Sequence, residues 1–371
     1  MSEQHRIVVL GAGYGGLSSA RRLVRKARGA RITVVDTRTR FVERVRLHQR
    51  AAGQDIPAWD LAAELGRKGI EFIQARATEI DTEGRRVLLD PVGAGDRESV
   101  GYDTLIYALG SGNSQHSVAG VSEHAYSVST PEDAEAIVCA DALDGKTVAI
   151  VGNGSTGIEL AAELGESQPN TRVLLLGSEE AGAWLSPRGC AHVGRTLARL
   201  GVETYAQVKV IEVTSAGVRL ADGRLIEADA TVWTAGFGVP DLAARSGFEV
   251  DASGRVVTDA TLRSVSHPEV FAVGDSAVVV GSDGKRLRMA CATALPTGKY
   301  AADVVIAQLR GKPLPELKFR FVAQCVSLGR KDGVIQALHA DDSPGRFAVT
   351  GRAAGWLKEQ VVLGAGRSVR V

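Results

Sequence analysis

The chain has 371 residues, 44% of them hydrophobic, with 44 basic against 43 acidic side chains. That length exceeds one ordinary domain and predicts two or three, while the balanced charge argues against a nucleic-acid partner. No apolar run approaches the roughly 20 residues needed to cross a bilayer, and the opening MSEQHRIVVLGAG is too short in apolar length for a signal peptide, so a cytoplasmic protein is expected.

Arg6–Leu10 (RIVVL) is a continuous apolar run and predicts a buried parallel strand. The turn Gly11–Ala12–Gly13–Tyr14–Gly15–Gly16 follows at once. Leu17, Ala20, Leu23 and Val24 then recur at helical spacing, and a strand over Ile32–Val35 is closed by Asp36. Phe72–Ile80 is a further strand, and Asp103–Leu109 another that stops at Gly110. The first unit then returns 141 residues on: strand Thr147–Val151, turn Gly152–Asn153–Gly154–Ser155–Thr156–Gly157, helix through Ile158, Ala161, Ala162 and Leu164, and strand Val173–Leu176. Ala230–Ala235 ends at Gly236, which suggests one such glycine-stopped strand per unit. Val270–Val273 leads into Gly274–Asp275. A short helix is expected over Ala292–Ala302, weakened by Pro296 and Gly298. From Phe319 the pattern is β-like, and the stretch around Trp356 closes the chain.

A strand, a G-x-G-x-x-G turn, a helix and a second strand are what a dinucleotide pyrophosphate needs. Backbone N–H groups at a helix N-terminus face the anion, and the helix dipole favours it. Gly11 makes the tight turn, Gly13 allows the phosphates to approach, and Gly16 lets helix pack on strand. Gly152, Gly154 and Gly157 repeat those roles. One match is weak, but two in the correct context predict two dinucleotide sites. Asp36 lies 25 residues beyond Gly11 and suits a ribose diol. The same offset from Gly152 reaches Gly177, so the second site lacks the acid in register, and Glu179 serves only if the turn is shifted. No arginine adjoins to welcome a 2′-phosphate. The expectation is NADH use with incomplete discrimination against NADPH, and an NADPH preference above about tenfold would contradict it.

These motifs, with Val273–Gly274–Asp275 after them, resemble two-dinucleotide-binding flavoproteins, and most of all type II NADH dehydrogenases and apoptosis-inducing-factor-like quinone reductases. The order spans about residues 6–300, and Ser327–Gln336 also resembles that branch. The resemblance implies an α/β protein with two Rossmann-like dinucleotide-binding domains and a small C-terminal β-rich segment. An FAD domain would comprise residues 1–112 and 240–315, an NAD(P)H domain residues 113–239, and a C-terminal or interface domain residues 316–371. It implies FAD held by Gly11, Ala12, Gly13, Gly15, Gly16, Asp36, Gln49, Ala77, Ala108, Gly110, Gly274 and Asp275. NADH or NADPH would be held by Gly152, Gly154, Gly157, Glu179 and Gly236. The reduced nicotinamide would pass hydride to the flavin, which hands electrons to a quinone or another small acceptor. Glu159 is either an acid near nicotinamide and flavin or a first-turn glutamate favoured by the helix dipole by about 0.3–1 kcal/mol. His48 either protonates the reduced acceptor or belongs to a basic helix, FVERVRLHQR, with a solvated face.

Departures bear on the acceptor. Ala292 and Pro296 stand where quinone-reducing relatives carry glutamines before a Gly-Lys pair, here Gly298–Lys299. Phe41–Gly53 lacks the cysteine pair of disulfide reductases. Only Cys291, of Cys139, Cys190, Cys291 and Cys325, is placed for sulfide chemistry. No metal site is expected from such scattered cysteines. A reductase for a ferredoxin-like protein and a non-enzymatic redox sensor stay open as alternatives. AAGWLKEQVVLGAG is mildly amphipathic and leaves a peripheral contact at the inner face of a membrane open. Oligomeric state leaves no mark in the sequence.

Overall fold

The structure, a computed structural model, describes residues 4–93, 95–112, 118–139 and 143–371. A seven-stranded sheet runs in the order Val270–Ala272, Thr104–Tyr107, Arg6–Leu10, Arg31–Asp36, Glu71–Asp81, Arg86–Pro91, Glu98–Gly101. Its first five strands are parallel, and the last two extend it as an antiparallel meander. The change of sense falls within Glu71–Asp81, which is 11 residues long and pairs with Arg31–Asp36 through its first half and with Arg86–Pro91 through its second. The central strand Arg6–Leu10 is apolar because both its faces are covered.

A second sheet of five parallel strands has the order Glu203–Tyr205, Arg172–Leu176, Thr147–Val151, Ala230–Trp233, Ala125–Ser127. Each glycine-stopped strand foreseen in the sequence lies beside the first strand of its own sheet: Thr104–Tyr107 against Arg6–Leu10, and Ala230–Trp233 against Thr147–Val151. The chain returns to the first sheet through Val270–Ala272, so that sheet is built from segments far apart in sequence.

Two helices exceed what the sequence suggested. The expected Ala292–Ala302 segment is a 19-residue helix, Cys291–Leu309, with Pro296 inside it. Ser18 and Ser19 of the first helix, Tyr14–Lys26, donate hydroxyl hydrogen bonds of 2.8 Å to the carbonyls of Leu295 and Gly298, which tie the two helices together. Gly298 is required there, because a Cβ on it would lie 2.1 Å from the Gly15 carbonyl oxygen. The stretch around Trp356 is an 18-residue helix, Arg352–Val369, packed on the antiparallel strands Ala323–Ser327, Gly333–Leu338 and Pro344–Thr350. The C-terminal β-rich unit is therefore a three-stranded sheet backed by a helix. No helix among the described residues is long and apolar enough to cross a membrane.

Candidate active site: two glycine turns and a buried ion pair

The two turns share one geometry. Gly11 has φ +100° and Gly152 φ +114°, both in the region that favours glycine. A Cβ on Gly11 would meet the Ala108 carbonyl oxygen at 2.4 Å, and one on Gly152 would meet Thr234 Oγ1 at 2.7 Å. A Cβ on Gly16 or Gly157 would strike the carbonyl oxygen of Gly11 or Gly152 at 1.9 and 1.8 Å. By contrast Gly13 and Gly154, the N-caps of the helices, have nothing within 4 Å of a would-be Cβ. Neither helix carries a side-chain cap or an acid in its first turn, so bare N–H groups face open space where an anion binds.

Around the first turn, Asp36 Oδ2 accepts from the Ala12 amide at 2.7 Å and Oδ1 from that of Arg38 at 2.9 Å, with lone pairs left for a ribose diol. Gly274, at φ +67°, donates its amide to Thr297 Oγ1 at 3.1 Å. Asp275 Oδ2 accepts from Ser111 Oγ at 2.6 Å, whereas Oδ1 is buried and has no partner among the described residues. A buried carboxylate oxygen left unpaired costs free energy, and a polyhydroxyl chain such as ribitol supplies the missing donor. The residues present therefore fit FAD. Gly110 (φ +70°) precedes Ser111, whose carbonyl accepts from Arg44. Ala77 lies on Glu71–Asp81, beside the register shift between Ala77 and Glu79.

The segment Arg44–Ala51 is not a solvated basic face. Arg46, His48 and Gln49 are only 4%, 3% and 6% exposed. Glu159 is also buried. It falls in the second turn of the helix Ser155–Ser167, which sets aside the first-turn reading. The structure brings His48 and Glu159 together, with Nδ1 to Oε2 at 3.5 Å. Two residues join them that sequence pattern did not reveal. Lys358, from the C-terminal helix, ion-pairs with Glu159 Oε1 and donates to Ser327 Oγ at 2.9 Å. Ser327 donates its amide to Glu159 Oε1 at 3.1 Å, and its Oγ lies 3.3 Å from His48 Nε2. Burial pushes His48 down to about 4, so the ring is neutral near pH 7. Burial alone would raise the Glu159 carboxyl, but Lys358 and then His48 outweigh it and hold it below the usual carboxylate range. The donors then run in a chain, Lys358 to Ser327 and Ser327 to His48 Nε2, with the far side of the His48 ring facing Glu159.

Beside this cluster lies a cavity of about 220 Å³, lined by Val45, Gln49, Ser327, Arg330, Trp356 and Lys358 among others; His48 does not line it. Cys291 ties the two halves together. Burial raises its thiol to about 11, with the charges of Asp275 and Glu159 adding to the rise and that of Lys358 opposing it. The FAD-type cradle and the buried ion pair are thus neighbours, and Cys291 stays a thiol rather than a nucleophilic thiolate. Cys190 and Cys325 are free thiols too, and the side chain of Cys139 lies outside the described residues. In the second turn Glu179 is exposed beyond the strand end, and Gly236 has φ +80°.

The chain is similar to known proteins over most of its length. The chain is 31% identical to an NADH dehydrogenase-like protein of Mycobacterium tuberculosis, over 89% of this chain and 87% of that one. It is 28% identical to a demethylphylloquinone reductase of Synechocystis sp., over 90% and 87%. Its fold superposes on the NDH2 of Plasmodium falciparum in complex with NADH with a TM-score of 0.83, at 14% identity, over 99% of this chain and 96% of that one. Two longer proteins of the same fold are spanned over only 64% and 62% of their length. With residues 5–298 matching its family profile, the chain belongs to the pyridine nucleotide-disulphide oxidoreductases.

Proposed function

We propose that this protein is an FAD-dependent NAD(P)H:quinone oxidoreductase. The observation that carries the reading is the duplicated turn geometry, one copy beside the unpaired Asp275 oxygen and the other beside the Glu159–Lys358 pair. Bound FAD would supply the two-electron relay between a reduced nicotinamide and the acceptor. The first turn, Asp36, Ala77, Ala108, Gly110, Gly274 and Asp275 hold it. The second turn, with Glu179 and Gly236, holds NAD(P)H.

The acceptor occupies the cavity beside Lys358. A quinone gains negative charge on oxygen as it is reduced, and the Lys358 ammonium at the cavity wall both stabilises that charge and carries a proton to it. Glu159 ion-pairs with Lys358 within a buried setting and so holds its amino group at the cavity wall. His48, neutral and enclosed, is a positioning residue: it fixes Ser327 and Glu159 rather than meeting the acceptor. Gln49 lines the same cavity and accepts from Arg46 at 3.3 Å. The names of the relatives support a quinone as acceptor.

A peripheral contact at the inner face of a membrane fits the same reading. Ala353, Trp356, Leu357, Gln360, Val361 and Gly364 are exposed along one face of the C-terminal helix, with Arg352 and Arg367 exposed at its ends. Such a stripe lies in a lipid interface with its cations at the headgroups. Anaerobic NADH titration of purified protein, followed by a panel of quinones and a ferredoxin, tests the proposal. Bleaching of bound flavin by NADH and recolouring by quinone is expected. Reoxidation by ferredoxin alone would assign a protein partner, and by neither, a sensor.

A further inference from the structure

The two glycine units differ where the turn meets the end of the second strand. In the first unit the strand-end Asp36 reaches back to the amide of Ala12. The residues at the same positions in the second unit are Gly177 and Asn153. A Cβ on Gly177 would lie 2.1 Å from Asn153 Cγ, 2.3 Å from Nδ2 and 2.4 Å from Oδ1. The Asn153 carboxamide therefore fills the volume that an acid at the strand end would need. Gly177 has no positive φ, so backbone strain does not exclude a side chain there; one would have to displace the Asn153 carboxamide. Gly177 is also fixed in place, its amide donating to the Tyr205 carbonyl at 3.0 Å.

Asn153 Nδ2 donates to the Glu179 carbonyl at 2.5 Å, which sets the direction of the amide. Its Oδ1 remains an acceptor, and Asn153 lines a recess of about 60 Å³ with Leu175, Glu179, Glu180, Thr204 and Tyr205 among others. We propose that Asn153 replaces the strand-end acid as the ribose-recognising residue of the pyridine-nucleotide site. Its neutral oxygen accepts from an adenosine ribose hydroxyl without the full charge that repels a 2′-phosphate. The exposed Glu179 and Glu180 leave a residual bias toward NADH. This rests on the assignment of the second turn to NAD(P)H.

The test uses flavin-loaded protein as the wild type, Asn153→Ala, Gly177→Asp and the double variant. Calorimetric binding of ADP-ribose and of 2′-phospho-ADP-ribose is the readout besides turnover, with flavin content as the folding control. The wild type should bind both within about tenfold of each other, and Asn153→Ala should weaken ADP-ribose about fivefold to tenfold. Gly177→Asp alone should weaken both ligands by about tenfold or more, because the new side chain meets Asn153. The double variant should regain ADP-ribose and reject the 2′-phosphate by at least about tenfold more than wild type. If Gly177→Asp alone gains discrimination without losing ADP-ribose, or Asn153→Ala binds both as wild type does, the role of Asn153 is overturned while the site stands. If the wild type binds neither ligand, the assignment of the site goes with it.

Discussion

Glu159, Lys358, Ser327 and His48 form a unit whose members cannot be removed singly without cost. Lys358→Met strands a buried carboxylate, and loss of one partner of a buried pair costs about 3–5 kcal/mol. Urea unfolding should show that loss, and Glu159→Gln/Lys358→Met should recover more than half of it. Quinone turnover should stay low in both variants, by roughly a hundredfold in kcat, because the proton donor is gone. His48 adds a pH dependence. Its folded-state value lies near 4 and its unfolded value near 6.5, so the unfolded chain binds the extra proton first. Its contribution is complete above about pH 6.5 and is lost as pH falls toward about 4, by a few kcal/mol at most. The wild-type Tm should thus fall more steeply than that of His48→Gln between pH 7 and pH 5, and parallel slopes would remove His48 as the cause. Glu159 and His48 were visible in the sequence as candidates. Lys358 was not, because it lies 199 residues from Glu159 and nothing local marks it.

At the scale of elements, the parallel strands and both turns were legible because a buried strand is a continuous apolar run and a phosphate turn must be glycine. The two long helices were less so, and their glycines explain why. Each glycine weakens a helix by roughly 0.5–1 kcal/mol, so composition argues against a helix wherever packing demands close approach. Gly355 meets the Asp332 backbone at 3.1 Å from its would-be Cβ, and Gly366 meets Glu43 Oε1 at 2.3 Å. The sign of a substitution follows. Gly298→Ala should gain helix propensity, yet the 2.1 Å approach to the Gly15 carbonyl makes it a net loss of about 1–3 kcal/mol. Since Gly15 belongs to the first turn, the variant should also release flavin on dilution sooner than wild type, measured by fluorescence of the free cofactor. A stabilised variant with full flavin would show that the two helices separate freely.

Across the whole molecule, ionic contacts weld three regions around the cavity. Arg46 binds Glu43 and Glu359, each at 2.6 Å, and Arg330 binds Glu359 at 3.1 Å and Glu163 at 3.4 Å. Arg44–Ala51, the helix Ser155–Ser167 and the C-terminal helix are thereby joined, so the cavity wall depends on all of them. The outward face of the C-terminal helix is free of this network. Leu357 and Val361 are 38% and 53% exposed and do not line the cavity. Leu357→Glu/Val361→Glu should therefore abolish sedimentation with phosphatidylglycerol vesicles while keeping flavin content and NADH oxidation by ferricyanide. Undiminished sedimentation would place the lipid contact elsewhere.

The interlock of Asn153 with Gly177 restricts how this lineage can change its diet of reducing equivalents. An aspartate acquired first at position 177 must displace the Asn153 carboxamide, so on the proposed role of Asn153 that route passes through a weaker binder. The viable order trims Asn153 beforehand. Directed evolution toward strict NADH use should therefore fix mutations at 153 earlier than at 177, a history dictated by two atoms' worth of room.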